Sequence, residues 1–168
     1  MDSKKTLIIC QSIHHGNTMK VTEVLANELD TEIKKPFEVK IEELNEYDLI
    51  GFGSGIYDDM HHTSLLELVD KLPEGAGKKT FIFSTSGVPV SILGDKFLQN
   101  YLAKAHSALR NKLESKDCKI LGDFICPGFN TNVFLKYFGG LNKNRPNQKD
   151  FENAKEFALR IKGEFLGL

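Results

Sequence analysis

Short apolar runs alternate with longer amphipathic segments along this chain, and this alternation constrains its fold more than any other feature. Residues 7–10 form a continuous apolar run, which is typical of a strand buried on both faces. Residues 18–29 place apolar side chains at the spacing of one helical face. The same pattern predicts further strands over 37–41 (at a sheet edge), 49–52, 81–83 and 120–126, and further helices behind a Ser64–Glu67 capping box, over 96–114 and from about 150 to 165.

Helices separate most of these strands, which predicts right-handed crossovers and a parallel sheet. The link over residues 42–48 is too short for a long helix, so we interpret it as a tight connection. The prediction is an α/β chain of one domain over residues 1–168, with a doubly wound five-stranded parallel sheet in the order 2-1-3-4-5 and helices on both faces. Ligands bind such sheets at the carboxyl ends of the strands.

Charge and cysteine usage restrict the class of function. The chain has 22 Lys and Arg against 23 Asp and Glu, a balance that argues against a general nucleic-acid binder. Three cysteines with no C-x-x-C pair argue against a disulfide-stapled secreted fold and indicate a cytoplasmic protein. The first apolar run has four residues, too few for a signal peptide or a membrane span.

The net charge of the chain is close to zero, but the charged residues are unevenly distributed along it. Residues 21–60 contain 11 acidic and 3 basic side chains, whereas residues 136–149 contain 4 basic and no acidic ones. Such a surface can orient a charged partner without strong overall attraction, although both stretches would also suit ordinary solvated faces.

The loop after the first strand has the composition of a phosphate cradle. A helix N-terminus offers unpaired N–H groups and a partial positive charge, small polar side chains add donors, and a glycine lets the backbone approach an anion closely. The loop lacks Lys and Arg, so neutral donors would hold the anion. A polar turn with a helix cap would have the same composition, and both interpretations stay open. The loop residues concerned are Ser12, His14, His15, Gly16, Asn17 and Thr18.

The loops after the third, fourth and fifth strands also contain glycine and small polar residues, which leave backbone N–H and C=O groups accessible. Tyr57 and Phe129 add aromatic faces at the same rim. A phosphate cradle beside such loops suits a flat polar heterocycle carried on a phosphate, as FMN is. The residues of the third and fourth loops are Ser54, Gly55, Ile56 and Tyr57, and Thr85, Ser86 and Gly87.

Other phosphate motifs do not fit the sequence. In residues 75–80 the spacing of a nucleotide-binding Gly-Lys-Thr loop fails, and in residues 51–55 the G-x-G-x-x-G spacing fails. A phosphorylated receiver domain would need acidic residues after the first strand, where this chain has Ser12, Ile13 and His14. A metal site built on the two His-His pairs is disfavoured, since adjacent side chains point apart.

With these loops in order, the sequence resembles the flavodoxin family. Gly16-Asn17-Thr18 matches the end of the family's phosphate loop, and residues 54–57 and 85–87 occupy the places of its ring-contacting loops. The resemblance implies the flavodoxin-like strand order and a non-covalently bound FMN. It also implies electron transfer with a redox partner protein or a small-molecule electron donor or acceptor. Val88 stands where many flavodoxins have an aromatic residue, so Tyr57 or Phe129 would stack on the ring.

Two other functions stay open. An FMN-dependent oxidoreductase of the NAD(P)H:quinone or protoporphyrinogen type is favoured slightly by residues 129–149, which lack clear periodicity. A flavin-less binding domain could use the same crevice. In the flavoprotein interpretations, Asp58 and Asp59 would lower the potential of the cofactor, whereas protonated His61 and His62 would raise it.

Overall fold

A computed structural model describes residues 4–131 and 133–168. The strands are β1 (Thr6–Gln11), β2 (Glu32–Lys34), β3 (Leu49–Tyr57), β4 (Met60–His61), β5 (Lys79–Ser86) and β6 (Lys119–Pro127). The α-helices are α1 (Asn17–Leu29), α2 (Thr63–Asp70), α3 (Val90–Leu93), α4 (Asp95–Ser115) and α5 (Gln148–Leu166), and 3₁₀ helices cover Pro36–Glu38, Ile41–Glu46 and Val133–Phe138. Within the described residues, no helix has the length and apolar character needed to cross a membrane.

The predicted sheet is confirmed. Its parallel strands follow the order β2-β1-β3-β5-β6, which is the predicted order 2-1-3-4-5 once the short β4 is set aside. Strand β4 pairs antiparallel with the end of β3 through a two-residue turn, in which Asp58 and Asp59 both have positive φ. The sequence lacks the Asn-Gly or Asp-Gly signal of such a hairpin, so this strand was not predicted.

Helices cover both faces of the sheet, because the buried residues of β1 alternate between two cores. Ile8 and Cys10 pack in the core that includes residues of α1 and α5. Leu7 and Ile9 pack in the core that includes residues of α2 and α4. All four side chains are fully buried, which explains why β1 is a continuous apolar run.

Glycines of β3 make room for aromatic rings of β5. Gly51 pairs in register with Phe81, and Gly53 pairs with Phe83. A Cβ atom at either glycine would overlap the ring of its partner. The alternating glycines of residues 51–55 therefore serve packing at their first two positions.

The predicted edge strand over residues 37–41 is wrong. The edge strand is β2, which pairs Glu32, Ile33 and Lys34 with β1. Pro36 then begins a 3₁₀ helix, since its fixed φ suits the first helical position. The alternation of Phe37, Val39 and Ile41 has another cause: Phe37 lies exposed, while Val39 and Ile41 pack against the core beneath α2. The 42–48 link is short, as predicted, and contains most of a 3₁₀ helix.

The starts of two helices depend on particular caps. Helix α2 begins one residue before the predicted capping box, because the His62 Nδ1 atom accepts a hydrogen bond from the Ser64 N–H at 3.2 Å. Helix α5 begins with a capping box, in which Asn147 Oδ1 accepts from the Asp150 N–H and Asp150 accepts from the Asn147 N–H. The Asp150 carboxylate is buried and also accepts two hydrogen bonds from Arg145.

Candidate functional site

The loops after β1, β3, β5 and β6 meet in one crevice at the carboxyl ends of the strands. The crevice encloses about 60 Å³ and measures about 450 Å³ with its open mouth, so it is a shallow trough. The enclosed volume is below the roughly 300–1,000 Å³ of many small-ligand sites, so a ligand of FMN size would lie partly outside the trough. The lining residues are His14, His15, Asn17, Thr18, Gly55, Ile56, Tyr57, Thr85, Ser86, Gly87, Gly128, Phe129, Asn130 and Thr131.

The first loop has the backbone geometry of an anion site. His15 (φ 54°) and Gly16 (φ 65°) are consecutive residues in the left-handed region, immediately before α1. Consecutive residues of this kind can turn successive N–H groups toward one point, and the first turn of α1 adds the Thr18 N–H, since the Asn17 and Met19 N–H groups donate to the His14 carbonyl and the Ser12 hydroxyl. The Gly16 cap supplies no side-chain hydrogen bond to the first turn. Ser12 accepts one bond, from the Met19 N–H at 3.2 Å.

Asn17 and Thr18 join this loop to its neighbours. Asn17 Nδ2 donates to the carbonyl oxygen of Phe129 at 2.8 Å, while its Oδ1 is buried without a hydrogen-bond partner. The Thr18 hydroxyl lies 2.8 Å from the Thr85 hydroxyl. An unpaired buried acceptor carries a desolvation cost, and a ligand hydroxyl would remove that cost.

Aromatic side chains stand at both ends of the crevice. The Tyr57 ring lies near His14, at 5.9 Å between centroids, and packs edge-on against His62. The Phe129 ring lies 4.7 Å from the ring of His15, whose Nε2 is 2.7 Å from the Thr131 hydroxyl. Each ring could cover one face of a flat ligand.

The structure brings most of the predicted residues together. All but three line the crevice; Ser12, Gly16 and Ser54 do not. Ser12 caps the first turn of α1, and Gly16 shapes the loop. Ser54 is fully buried beneath Gly55. The prediction missed Gly128, Asn130 and Thr131, although their position directly after the fifth strand was the available signal.

Ser54 belongs to a buried polar cluster behind the crevice. Its hydroxyl donates to the Gly55 carbonyl at 2.6 Å, accepts from the His62 N–H at 3.0 Å, and lies 3.0 Å from His61 Nδ1. His61 is almost completely buried, and burial together with His106 holds its pKa well below the usual value. Burial therefore opposes the protonation of His61 that would raise the potential of a cofactor.

Asp59 is not a free negative charge beside the crevice. Its carboxylate accepts hydrogen bonds from Lys104 Nζ and Tyr101 Oη, both at 2.5 Å. These hydrogen bonds lower the pKa of Asp59, so it stays ionised and paired.

His106, on the buried face of α4, was not predicted as a functional residue. Its Nε2 lies 2.7 Å from the Ser84 hydroxyl, and its ring is 4.9 Å from that of His61. Burial lowers its pKa, despite the nearby Asp123 carboxylate. A polar residue among apolar positions of the helix face was the available signal. In the described part of the chain, no three His, Cys, Asp or Glu side chains are grouped as metal ligands.

The two neutral histidines predict acid sensitivity. Their folded pKa values lie below the unfolded value of about 6.5, so the unfolded chain binds more protons as the pH falls through that value. We expect the free energy of unfolding to fall below about pH 6.5, by up to about 1.4 kcal/mol per pH unit for each ring that stays neutral. Denaturant titrations from pH 7.5 to 5 measure this slope.

The matched variants locate the source of that slope. The double substitution His61→Asn with His106→Gln should flatten it, whereas the exposed His14→Gln should leave it unchanged. An equal slope in the double variant would refute the assignment. Asp123 acts over a different pH range: although burial raises its pKa, the nearby His106 and the hydrogen bond from Arg110 lower it overall. Its contribution is therefore lost only below about pH 4.

Comparison with known proteins agrees with this architecture. Residues 7–120 match the flavodoxin domain. An uncharacterised protein of Methanocaldococcus jannaschii is 46% identical over 157 residues, covering 94% of this chain and 97% of the relative. Oxidised flavodoxin 2 from Bacillus cereus superimposes with a TM-score of 0.67 at 18% identity, covering 95% of this chain and 99% of its own. The apo form of an NADH:FMN oxidoreductase superimposes with a TM-score of 0.65 at 14% identity, and the match covers 99% of this chain and 90% of that protein. The chain belongs to the flavodoxin family.

Proposed function

We propose that this chain is a single FMN-binding domain that carries electrons between redox partners. One observation carries the proposal: four loops with the chemistry of a phosphate and heterocycle site meet in one crevice at the carboxyl ends of the strands. Membership in the flavodoxin family supports it. Bound FMN would supply one- and two-electron redox chemistry, which the protein tunes through its contacts.

The residues present fit each part of FMN. Backbone N–H groups at His15, Gly16 and Thr18 would hold the phosphate without a basic side chain. The unpaired Asn17 Oδ1 could accept from a hydroxyl of the ribityl chain. Backbone groups at Gly55 and Gly87 would face the ring, and Tyr57 or Phe129 would stack on it.

The open mouth of the crevice suits a carrier, because electron transfer needs one ring edge near the surface. The proposed partner is a redox protein or a small-molecule electron donor or acceptor. The polarised charge of residues 21–60 and 136–149 would orient a charged partner, and partner reduction rates should then depend on ionic strength. We place the protein in the cytoplasm because its three cysteines are free and buried.

An FMN-dependent oxidoreductase is the second candidate, and the segment after β6 favours it. Phe129, Asn130 and Thr131 form one wall of the crevice. This wall is braced, since Asn130 pairs with Leu141 and the Asn142 side chain donates to the carbonyl of Val88 at 2.7 Å. A braced wall could define a pocket for a small substrate.

Steady-state kinetics separates the two functions. We expect the FMN-loaded protein to be reduced by dithionite and reoxidised by an added acceptor, with no sustained turnover of NADH or NADPH with a quinone. Heat-inactivated FMN-loaded protein is the control for free flavin. Sustained turnover without any partner protein would instead establish the oxidoreductase.

A further inference from the structure

Two buried histidines connect both ring-side loops of the crevice. His61 is bonded to Ser54, which directly precedes Gly55, and His106 is bonded to Ser84, which directly precedes Thr85. Ser54 and Ser84 are register partners on the adjacent strands β3 and β5. The imidazole pair therefore lies directly behind the two segments proposed to contact the flavin ring.

The pair has vacant proton positions. His61 Nε2 and His106 Nδ1 are both buried without a hydrogen-bond partner, whereas the other nitrogen of each ring lies within hydrogen-bond distance of Ser54 or Ser84. Unpaired buried ring nitrogens are costly, so proteins rarely keep them without a use. A proton added at His106 Nδ1 would face the Asp123 carboxylate.

The pair also reaches the surface. Asp123 Oδ2 lies 3.6 Å from His106 Nδ1, and the partly exposed Asp123 side chain is bonded to Arg110 at 2.5 Å. The titratable group in ring contact with His61 is His106 from α4. The other titratable groups of the β3–β4 hairpin are His62 and Tyr57, which pack against each other, Asp58, and Asp59, held by Lys104 and Tyr101. Of the acidic groups, Asp123 is the one that contacts the pair.

We propose that His61 and His106 form a proton-holding pair, in which one ring takes up one proton from solvent when negative charge is added to the crevice. The inference rests on the proposed FMN site and deepens it. The proton is held at His61 Nε2 or His106 Nδ1, and the positive charge of that ring, behind Ser54 or Ser84, stabilises the negative charge in the crevice electrostatically. The electrons come from an external reductant, and solvent supplies the proton.

The direction of uptake follows from electrostatics. Both rings are neutral in the ligand-free protein because burial lowers the pKa of each. A nearby anion favours the charged form of an imidazole and raises its pKa. Negative charge added in the crevice therefore counteracts the lowering of the pKa by burial. Asp59 cannot take up this proton in place of the histidines, because its pKa is lowered and its carboxylate is paired with Lys104.

The test counts protons. FMN-loaded protein is reduced fully with dithionite in weak buffer at pH 7.5, and a pH-indicator dye reports the protons taken up per FMN, after correction for those that dithionite oxidation releases. We expect the double variant His61→Asn with His106→Gln to take up one proton fewer than the wild type. Asparagine and glutamine can keep polar contacts to Ser54 and Ser84 but cannot be protonated. The adjacent His62→Gln is the matched control and should keep the wild-type count.

A second measurement uses the unmodified protein, so that a folding defect in the variant cannot obscure the result. Nitrogen-15 NMR of the imidazoles should show one ring of the pair neutral in the oxidised complex and doubly protonated after reduction. Equal proton counts in the wild type and the double variant, or neutral rings after reduction, would overturn the proton-holding pair alone. Absence of FMN binding would overturn the pair and the proposed function together.

Discussion

Replacing Asn17 with aspartate is expected to weaken FMN binding by roughly 100-fold. Asn17 is the first residue of α1, directly after the left-handed pair His15 and Gly16, and it lines the crevice. Aspartate has the same shape but puts a negative charge beside the N–H groups proposed to hold the phosphate, and it loses the hydrogen bond that Asn17 Nδ2 donates to the Phe129 carbonyl. Two charges one helical turn apart, at an effective dielectric constant of about 20, repel by about 3 kcal/mol. Fluorescence titration with FMN measures the loss.

Two controls separate phosphate repulsion from other causes. Riboflavin lacks the phosphate, so its affinity should fall far less than that of FMN in the Asn17→Asp protein. Asn111→Asp introduces the same charge at an exposed position in the last two turns of α4 and should leave FMN affinity unchanged. Equal losses for FMN and riboflavin would show that the loop after β1 does not hold the phosphate.

Replacing Gly53 with alanine is expected to lower the free energy of unfolding by about 3 kcal/mol. The new Cβ would overlap the Phe83 ring, which is fully buried and pairs in register with Gly53 on the adjacent strand. Neither strand can move away easily, because β3 and β5 lie in the middle of the sheet. Denaturant unfolding of the ligand-free protein measures the change.

Replacing a different glycine with alanine should change the free energy of unfolding in the opposite direction. Gly163 lies within α5 and has no atom near the position of an added Cβ, so Gly163→Ala should stabilise the fold by about 0.5–1 kcal/mol. Combining Gly53→Ala with Phe83→Leu should recover part of the lost stability, since the smaller side chain frees space. An unchanged stability in Gly53→Ala would contradict the packing account of the β3 glycines.

The sequence predicted the topology and most of the crevice for the same physical reason. Buried parallel strands need continuous apolar runs such as residues 7–10, and the polar residues that follow them must lie at one edge of the sheet. His14, Tyr57 and Thr85 were predicted in this way, and the structure places them on one crevice. The prediction needed only the order of the elements and not their packing.

The features that escaped prediction depend on contacts between distant segments. The edge strand was misplaced because Phe37, Val39 and Ile41 alternate for a reason of local packing, with two of them beneath α2. His106 was missed because its role depends on Ser84 and on the ring of His61, which is 45 positions away in the sequence. A single sequence shows one polar residue on an apolar helix face but not its partners.

Calorimetric titration of the ligand-free protein with FMN, and in parallel with riboflavin, tests the central claim most directly. We predict that one FMN binds per chain and that riboflavin binds more than about tenfold more weakly, because charge-assisted hydrogen bonds to the phosphate contribute about 1.5 kcal/mol or more. No FMN binding, or equal affinity for the two ligands, would contradict the claim that the crevice at the carboxyl ends of the strands is an FMN site.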